Sequence, residues 1–253
     1  MKKYIALLLS ALMVLCLFAG CGTQESETSE PPAAESADPV ETAGAGETEG
    51  GYKFGLTTMG EASFWDAVEE GVLNVMNEGD ELIFVEGEHG NAAGQVDIIE
   101  DFIAQGCDLV FFNPVDADAA TSCLNLLEEA GIPVINFDSA CTDMSTVETF
   151  CATDNYAAGA LGAYSAITGA GAGADVDLYS VNGGPEAKAK MLADGEEGVW
   201  RATSAQQPIK MGETICELAY QYLAGEELES EYLIDAFIIS PANIEEYAGS
   251  DWQ

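Results

Sequence analysis

From residue 52 onward, short runs rich in β-branched and aromatic residues alternate with longer segments whose apolar residues recur at helical spacing. This alternation constrains the fold more than any other feature of the chain. Residues 52–57 read as a strand, and Ser63 is placed to cap a helix over 64–77 whose apolar face is Phe64, Ala67, Val68, Val72, Val75 and Met76. Residues 82–85 form the next strand, and 91–105 the next helix, with Gly106 as its stop. The continuous apolar run 108–112 is a strand buried on both faces; Asp116 caps a helix running to Gly131, and strands follow over 132–137 and 147–152. Strands alternating with helices of this length argue for a doubly wound, parallel α/β sheet, in which ligands bind beyond the carboxyl ends of the strands.

Those ends carry the residues with chemistry to offer. Phe64 and Trp65 lie at a strand-to-helix turn, while Asn113 and Asp138 close two neighbouring strands. Aromatic faces stack on the C–H-rich faces of sugar rings, and carboxylate and amide oxygens accept hydroxyl protons. Each residue also has a plainer reading: Phe64 fits the apolar helix face, which Trp65 one position on cannot share, and Asn113 and Asp138 suit turns and caps.

The stretch before residue 52 sets the context. Lys2 and Lys3, an apolar run over 4–18 and the small pair Ala19-Gly20 before Cys21 have the form of a secretory signal over residues 1–20. The ending Phe18-Ala19-Gly20-Cys21 resembles the bacterial lipoprotein signal, which implies lipidation of Cys21 and a chain anchored to the outer face of a membrane. Residues 21–51 hold no aromatic residue, Lys or Arg and are expected to form a disordered acidic tether.

The chain has 45 acidic against 7 basic residues, for a formal net charge of −38, so its surface repels phosphate backbones and no nucleic-acid partner is expected. The seven cysteines include no Cys-x-x-Cys pair, and the lone His89 lies in a Glu-His-Gly loop without a Gly-x-Ser-x-Gly elbow elsewhere. The glycine run 169–173 has no strand leading into it. Neither a metal, a cofactor nor an enzymatic activity is expected. Cys107, Cys123 and Cys216 read as small core residues, and Cys141 and Cys151 leave the question of pairing open.

Beyond the turn Ala152-Thr153-Asp154-Asn155 a second set of elements begins: a strand over 177–181 ending at Asn182-Gly183-Gly184-Pro185, another over 199–204 reaching Gln206, a long amphipathic helix from Pro208 and a last strand over 232–239. Together with Ser63-Phe64-Trp65, Asn113-Pro114-Val115-Asp116, residues 132–138 and Ala202-Thr203-Ser204-Ala205-Gln206, these pieces resemble the type I periplasmic sugar-binding proteins, the ribose-binding-like solute receptors of ABC importers. The resemblance is strongest over 52–159. It implies a two-lobe, periplasmic-binding-protein-like I fold, with a first lobe over 52–153 and a returning helix at about 207–232. It places the second lobe over 154–206 and about 238–253.

The same resemblance implies a sugar or similar neutral polar ligand between the lobes, and ABC permease subunits as partners. It adds Asn182 and Gln206 to the ligand-binding set Phe64, Trp65, Asn113 and Asp138. It also shows a departure. In the family several strand–helix units follow the first hinge, whereas here 155–159 looks like the start of one helix and 160–164 like the continuation of a later one. An internal deletion joined near Gly159/Ala160 is expected, truncating the second lobe and removing a ligand-contacting Arg and an Asn-Asp pair. Ser139 stands where the family commonly carries another Arg. Losing such hydrogen bonds removes about 0.5 to 1.5 kcal/mol each, so binding is expected to be impaired. The alternative is a non-transporting surface interaction module or decayed copy of such a receptor.

Overall fold

The structure, a computed structural model, describes residues 51–169, 177–247 and Trp252. The expected signal segment, Cys21 and the tether up to residue 50 lie outside the described residues, as does the glycine run beyond residue 169.

The alternation read from the sequence is realised as β1 (Lys53–Thr58), α1 (Ser63–Val75), β2 (Glu81–Glu86), α2 (Ala92–Gln105), β3 (Leu109–Phe112), α3 (Ala120–Ala130), β4 (Val134–Phe137) and β5 (Thr149–Thr153). Then come α4 (Asn155–Gly169), β6 (Leu178–Asn182), α5 (Pro185–Asp194), β7 (Trp200–Ala205), α6 (Pro208–Leu223), β8 (Glu231–Ile234), β9 (Phe237–Ile239) and α7 (Ile244–Tyr247). Among the described residues the strands form two sheets. The larger has six parallel strands in the order β2-β1-β3-β4-β5-β8, and the smaller has three in the order β6-β7-β9, with β9 antiparallel to β7.

The large sheet is apolar on both faces because helices cover both. Alternate side chains of β3 part to opposite sides: Leu109 and Phe111 pack with Phe54, Leu56, Val68 and Ile215 beneath α1 and α6, whereas Val110 and Phe112 pack with Ile99, Phe102 and Leu127 beneath α2 and α3. Each fully buried phenylalanine contributes about 1.5–3 kcal/mol by leaving water. Helices α2 and α3 end as expected, at Gly106 and Gly131, both left-handed.

α6 belongs to this lobe by contact although it follows the second-sheet strand β7. It crosses α1 so closely that a methyl group on Gly71 would strike the Ile209 carbonyl oxygen, and one on Gly212 the Val68 carbonyl oxygen. Its far end is tied down by Tyr220, whose hydroxyl accepts from the Asn77 amide at 2.9 Å and donates to Asp80, which in turn accepts from the Tyr52 amide at 2.7 Å.

Several local expectations are corrected. Residues 232–239 do not make one strand: β8 pairs with β5 in the large sheet, the backbone breaks at 235–236, and β9 joins the small sheet. The backbone therefore passes between the sheets at β5–α4, β7–α6 and β8–β9. Ser63 is the first helical residue of α1 rather than its cap; extended Ala62 precedes it and supplies no side-chain hydrogen bond. Asp116 accepts from the amides of Asp118 and Ala119 at 3.0 and 2.8 Å and so forms a turn one step ahead of α3. Cys107, Cys123 and Cys216 are buried as expected, and Cys141 and Cys151 are also buried and free. Burial pushes the Cys141 and Cys151 thiols up to about 12, which keeps them protonated and unreactive.

Candidate functional site

The carboxyl ends of β1, β3 and β4 are laced together by buried amides. The fully buried Asn113 accepts from the Met59 amide at 2.9 Å and donates to the Phe137 carbonyl at 3.1 Å. Gln95, from α2, donates to the Asn113 carbonyl and accepts from the Val115 amide, both at 2.9 Å. Asn136 donates to the carbonyls of Phe112 and Ser139 at 2.8 and 3.0 Å. These bonds satisfy backbone groups that the ladder leaves free where strands end, and they fix where the following turns point. Asn113 is thus a brace across three strand ends, with one amide hydrogen and one oxygen lone pair left to offer.

On that floor stands Asp138. Its φ is 59°, a left-handed conformation that a non-glycine residue seldom adopts. Desolvation raises its carboxyl above the ordinary range, opposed by the hydroxyl of Ser139, which donates to Asp138 Oδ2 at 3.1 Å. Asn182, at the end of β6 in the small sheet, has φ 90°. Among the described residues these are the non-glycine positions with positive φ, and they lie one on each sheet. Such conformations cost on the order of 1–3 kcal/mol each and gather at ligand sites, where the surrounding structure holds them.

Gln206 joins the sheets. Thr153, at the end of β5, donates to Gln206 Oε1 at 2.9 Å, and Gln206 Nε2 donates to Asn182 Oδ1 at 2.7 Å. The same pair is tied through the backbone, Gln206 N donating to the Asn182 carbonyl at 3.1 Å. A side-chain chain therefore runs from the first backbone crossing to the turn that opens α5.

The aromatic pair divides differently from expectation. The buried face of α1 is Trp65, Val68 and Val72, at helical spacing, so Trp65 is 5% exposed and meets Phe137 edge-on at 6.1 Å. Phe64, about a quarter-turn away, is partly buried and turns its ring toward Trp252, edge-on at 5.4 Å. Phe64, not Trp65, faces outward from the core.

A cavity of about 280 Å³ opens beside β6, walled by Ser63 from α1, Ser180 and Asn182 from β6, Pro185 from α5, and the indoles of Trp252 and of Trp200, the first residue of β7. Trp200 donates from Nε1 to Ser180 Oγ at 3.2 Å. Of the six residues expected from sequence, only Asn182 lines this cavity, and Phe64 reaches it through Trp252. Ser63, Ser180 and the two tryptophans escaped the sequence reading. Trp200 lies in a strand that reads as core, and Trp252 follows no periodic segment that could announce it. Among the described residues no group of three or more His, Cys, Asp or Glu side chains is placed to hold a metal ion.

Residues 53–176 match the family described as periplasmic binding protein domain. The ribose import binding protein RbsB of Bacillus subtilis is 29% identical over 122 residues, a span of 47% of this chain but only 39% of that protein. Among solved structures, a Mycobacterium smegmatis ABC transporter solute-binding protein with bound glycerol superposes with a TM-score of 0.71 at 19% identity, over 80% of this chain and 99% of that one. One from Bacillus halodurans with bound myo-inositol gives 0.62 at 17%, over 80% and 99%. One from Agrobacterium vitis with α-D-tagatopyranose gives 0.61 at 15%, over 78% and 97%. The chain therefore has a two-lobe α/β fold of the periplasmic-binding-protein-like I type, with a second sheet of three strands against six in the first among the described residues, and its residues 53–176, just under half of the chain, match that family.

Proposed function

We propose that this protein is the membrane-anchored solute receptor of an ABC importer, taking a sugar or similar neutral polyol between its lobes. The observation that carries the reading is the pair of left-handed side-chain carriers, Asp138 and Asn182, one at a strand end of each lobe and each backed by hydrogen-bonded neighbours. Acceptor groups at strand ends of two bodies joined by three chain crossings are what a hinged clamp needs. Relatives that share the fold are described with bound glycerol, myo-inositol and α-D-tagatopyranose, all neutral and hydroxyl-rich. A net charge of −38 is compatible with such ligands and hostile to anions.

In this reading Phe64 supplies an apolar ring, Asp138 and Asn182 accept hydroxyl protons, and Gln206 and Thr153 transmit closure through the hinge. Asn113 holds the floor from beneath. Trp65 supports Phe64 from the core. Cys21 would carry the lipid that keeps the receptor beside its permease.

The deletion proposed near Gly159/Ala160 bears on affinity. Among the described residues three strands stand in the second sheet against six in the first, and Ser139 donates its hydroxyl to Asp138. Fewer donors face the ligand, and binding is correspondingly weak.

Titration calorimetry of the full chain against pentoses, hexoses, inositols and small polyols tests the reading; heat with none of them would sink it. The variant Asn113→Ala strips partners from the buried Met59 amide and Phe137 carbonyl. It is expected to cost about 2–6 kcal/mol of stability, given ~1–3 kcal/mol for each of the two groups left unsatisfied, and to abolish the heat.

A further inference from the structure

Trp252 touches both lobes. Its Nε1 donates to Ser63 Oγ at 3.3 Å and its ring meets Phe64 edge-on at 5.4 Å, both on the first turn of α1. Its six-membered ring also lies against the turn that opens α5: a methyl group on Gly184 would stand 3.2 Å from it. The indole thus walls the 280 Å³ cavity while it occupies two groups on the first turn of α1, the Ser63 hydroxyl and the Phe64 ring.

We propose that Trp252 is an internal competitor, an indole that takes the place of a ligand on Ser63 and Phe64 and bridges the lobes while no solute is bound. The proposal rests on the receptor reading above. The chemistry of the two partners supports substitution rather than cooperation. A neutral indole presents an apolar ring with one N–H donor, which is what a sugar presents to the same two groups: a C–H-rich face and a hydroxyl donor. Phe64 already receives the edge of Trp65 at 4.8 Å, which leaves its other surroundings to Trp252 or to a ligand. A solute must therefore offer a ring face and a donor together to displace the indole, so acyclic polyols are selected against relative to cyclic ones. A side chain at Gly184 would require the indole to give by a few tenths of an ångström, so the turn lies in close contact with the ring.

The test combines affinity with direct observation of the contact. In the full chain, proton NMR should show nuclear Overhauser effects between the Trp252 indole and the Phe64 ring in the free protein, and these should vanish on saturation with D-ribose or myo-inositol. Calorimetry with the same sugars should show Trp252→Ala binding roughly tenfold tighter than the parent, the combined worth of one aromatic pair and one neutral hydrogen bond. Trp252→Phe keeps the ring and loses the donor, guards against misfolding, and should tighten binding ~3-fold. Weaker binding by Trp252→Ala would overturn the proposal, because the indole would then be part of the ligand's own platform. Absence of the Trp252–Phe64 contact in the free protein would overturn it equally. If neither sugar binds parent or variant while the contact is present, it is the receptor reading that has failed, and competition falls with it.

Discussion

In the first lobe Gly71 and Gly212 lie where α1 and α6 cross, each with a backbone carbonyl of the opposing helix in the space a side chain would need. In the second lobe Gly159 and Gly162 lie on α4 with nothing within 4 Å of where a side chain would begin. The same residue type thus serves two ends. In the α1–α6 pair glycine permits two backbones to touch, and the packing gained offsets its entropic cost. In α4 it incurs that cost without a contact in return. Tyr156, in the first turn of α4, is 89% exposed, whereas Trp65, in the first turn of α1, is 5% exposed. The difference teaches that glycine at the α1–α6 crossing is enclosed by backbone, whereas Gly159 and Gly162 lie on an open side of α4, which elsewhere meets β6, β7 and β9. The junction proposed near Gly159/Ala160 falls inside α4.

Three measurements break or sharpen that contrast. The largest effect is expected at the crossing: Gly212→Ala should lower the stability of the first lobe by about 2–3 kcal/mol or more, as overpacking against unyielding backbone does, visible as a lower denaturant midpoint. An unchanged midpoint would mean that the helices separate freely and that the contrast is false. A smaller effect of opposite sign is expected in α4, where Gly159→Ala and Gly162→Ala should each add about 0.5–1 kcal/mol. Destabilisation by either would show that α4 packs against something its open surroundings do not suggest.

The smallest is a pH effect at Asp138, for which a direction follows. Its carboxyl is raised above 3.8 by desolvation, so the native state holds its proton to higher pH than the unfolded chain does. Ionisation in the folded state is therefore unfavourable, and stability declines as pH rises from 3.8 through the raised value. Asp138→Asn should be more stable than the parent at neutral pH, with the difference vanishing below 3.8, where both states of the parent are protonated. A gain that persists unchanged into acid would assign the effect to the left-handed backbone rather than to the charge.

How much of this was legible beforehand depends on how local the signal is. The strands and helices of the first lobe were, because apolar periodicity and glycine stops act within one element, as Gly106 and Gly131 show. The break of 232–239 into two strands was not, because its apolar alternation runs on through the point where the chain changes sheets. Asn182 and Gln206 were named from resemblance, yet their hydrogen bond depends on two strand ends meeting across the small sheet. Phe64 and Trp65 were both named as ligand-binding, because one residue of phase at the start of α1, which the sequence leaves open, decides which ring enters the core.

Taken alone, the sequence determined a parallel α/β chain with its chemistry at the strand ends, and it pointed to a second lobe shorter than the first. These depend on periodicity and on the order of segments, which are properties of the chain itself. Tertiary structure decided the left-handed turns at Asp138 and Asn182, the contact of α1 with α6 at two glycines, and the arrival of Trp252 at Ser63, 189 positions away in the chain. The physical reason is that each of these depends on packing between segments remote in sequence, and no local preference of a lone tryptophan encodes the partner it will meet.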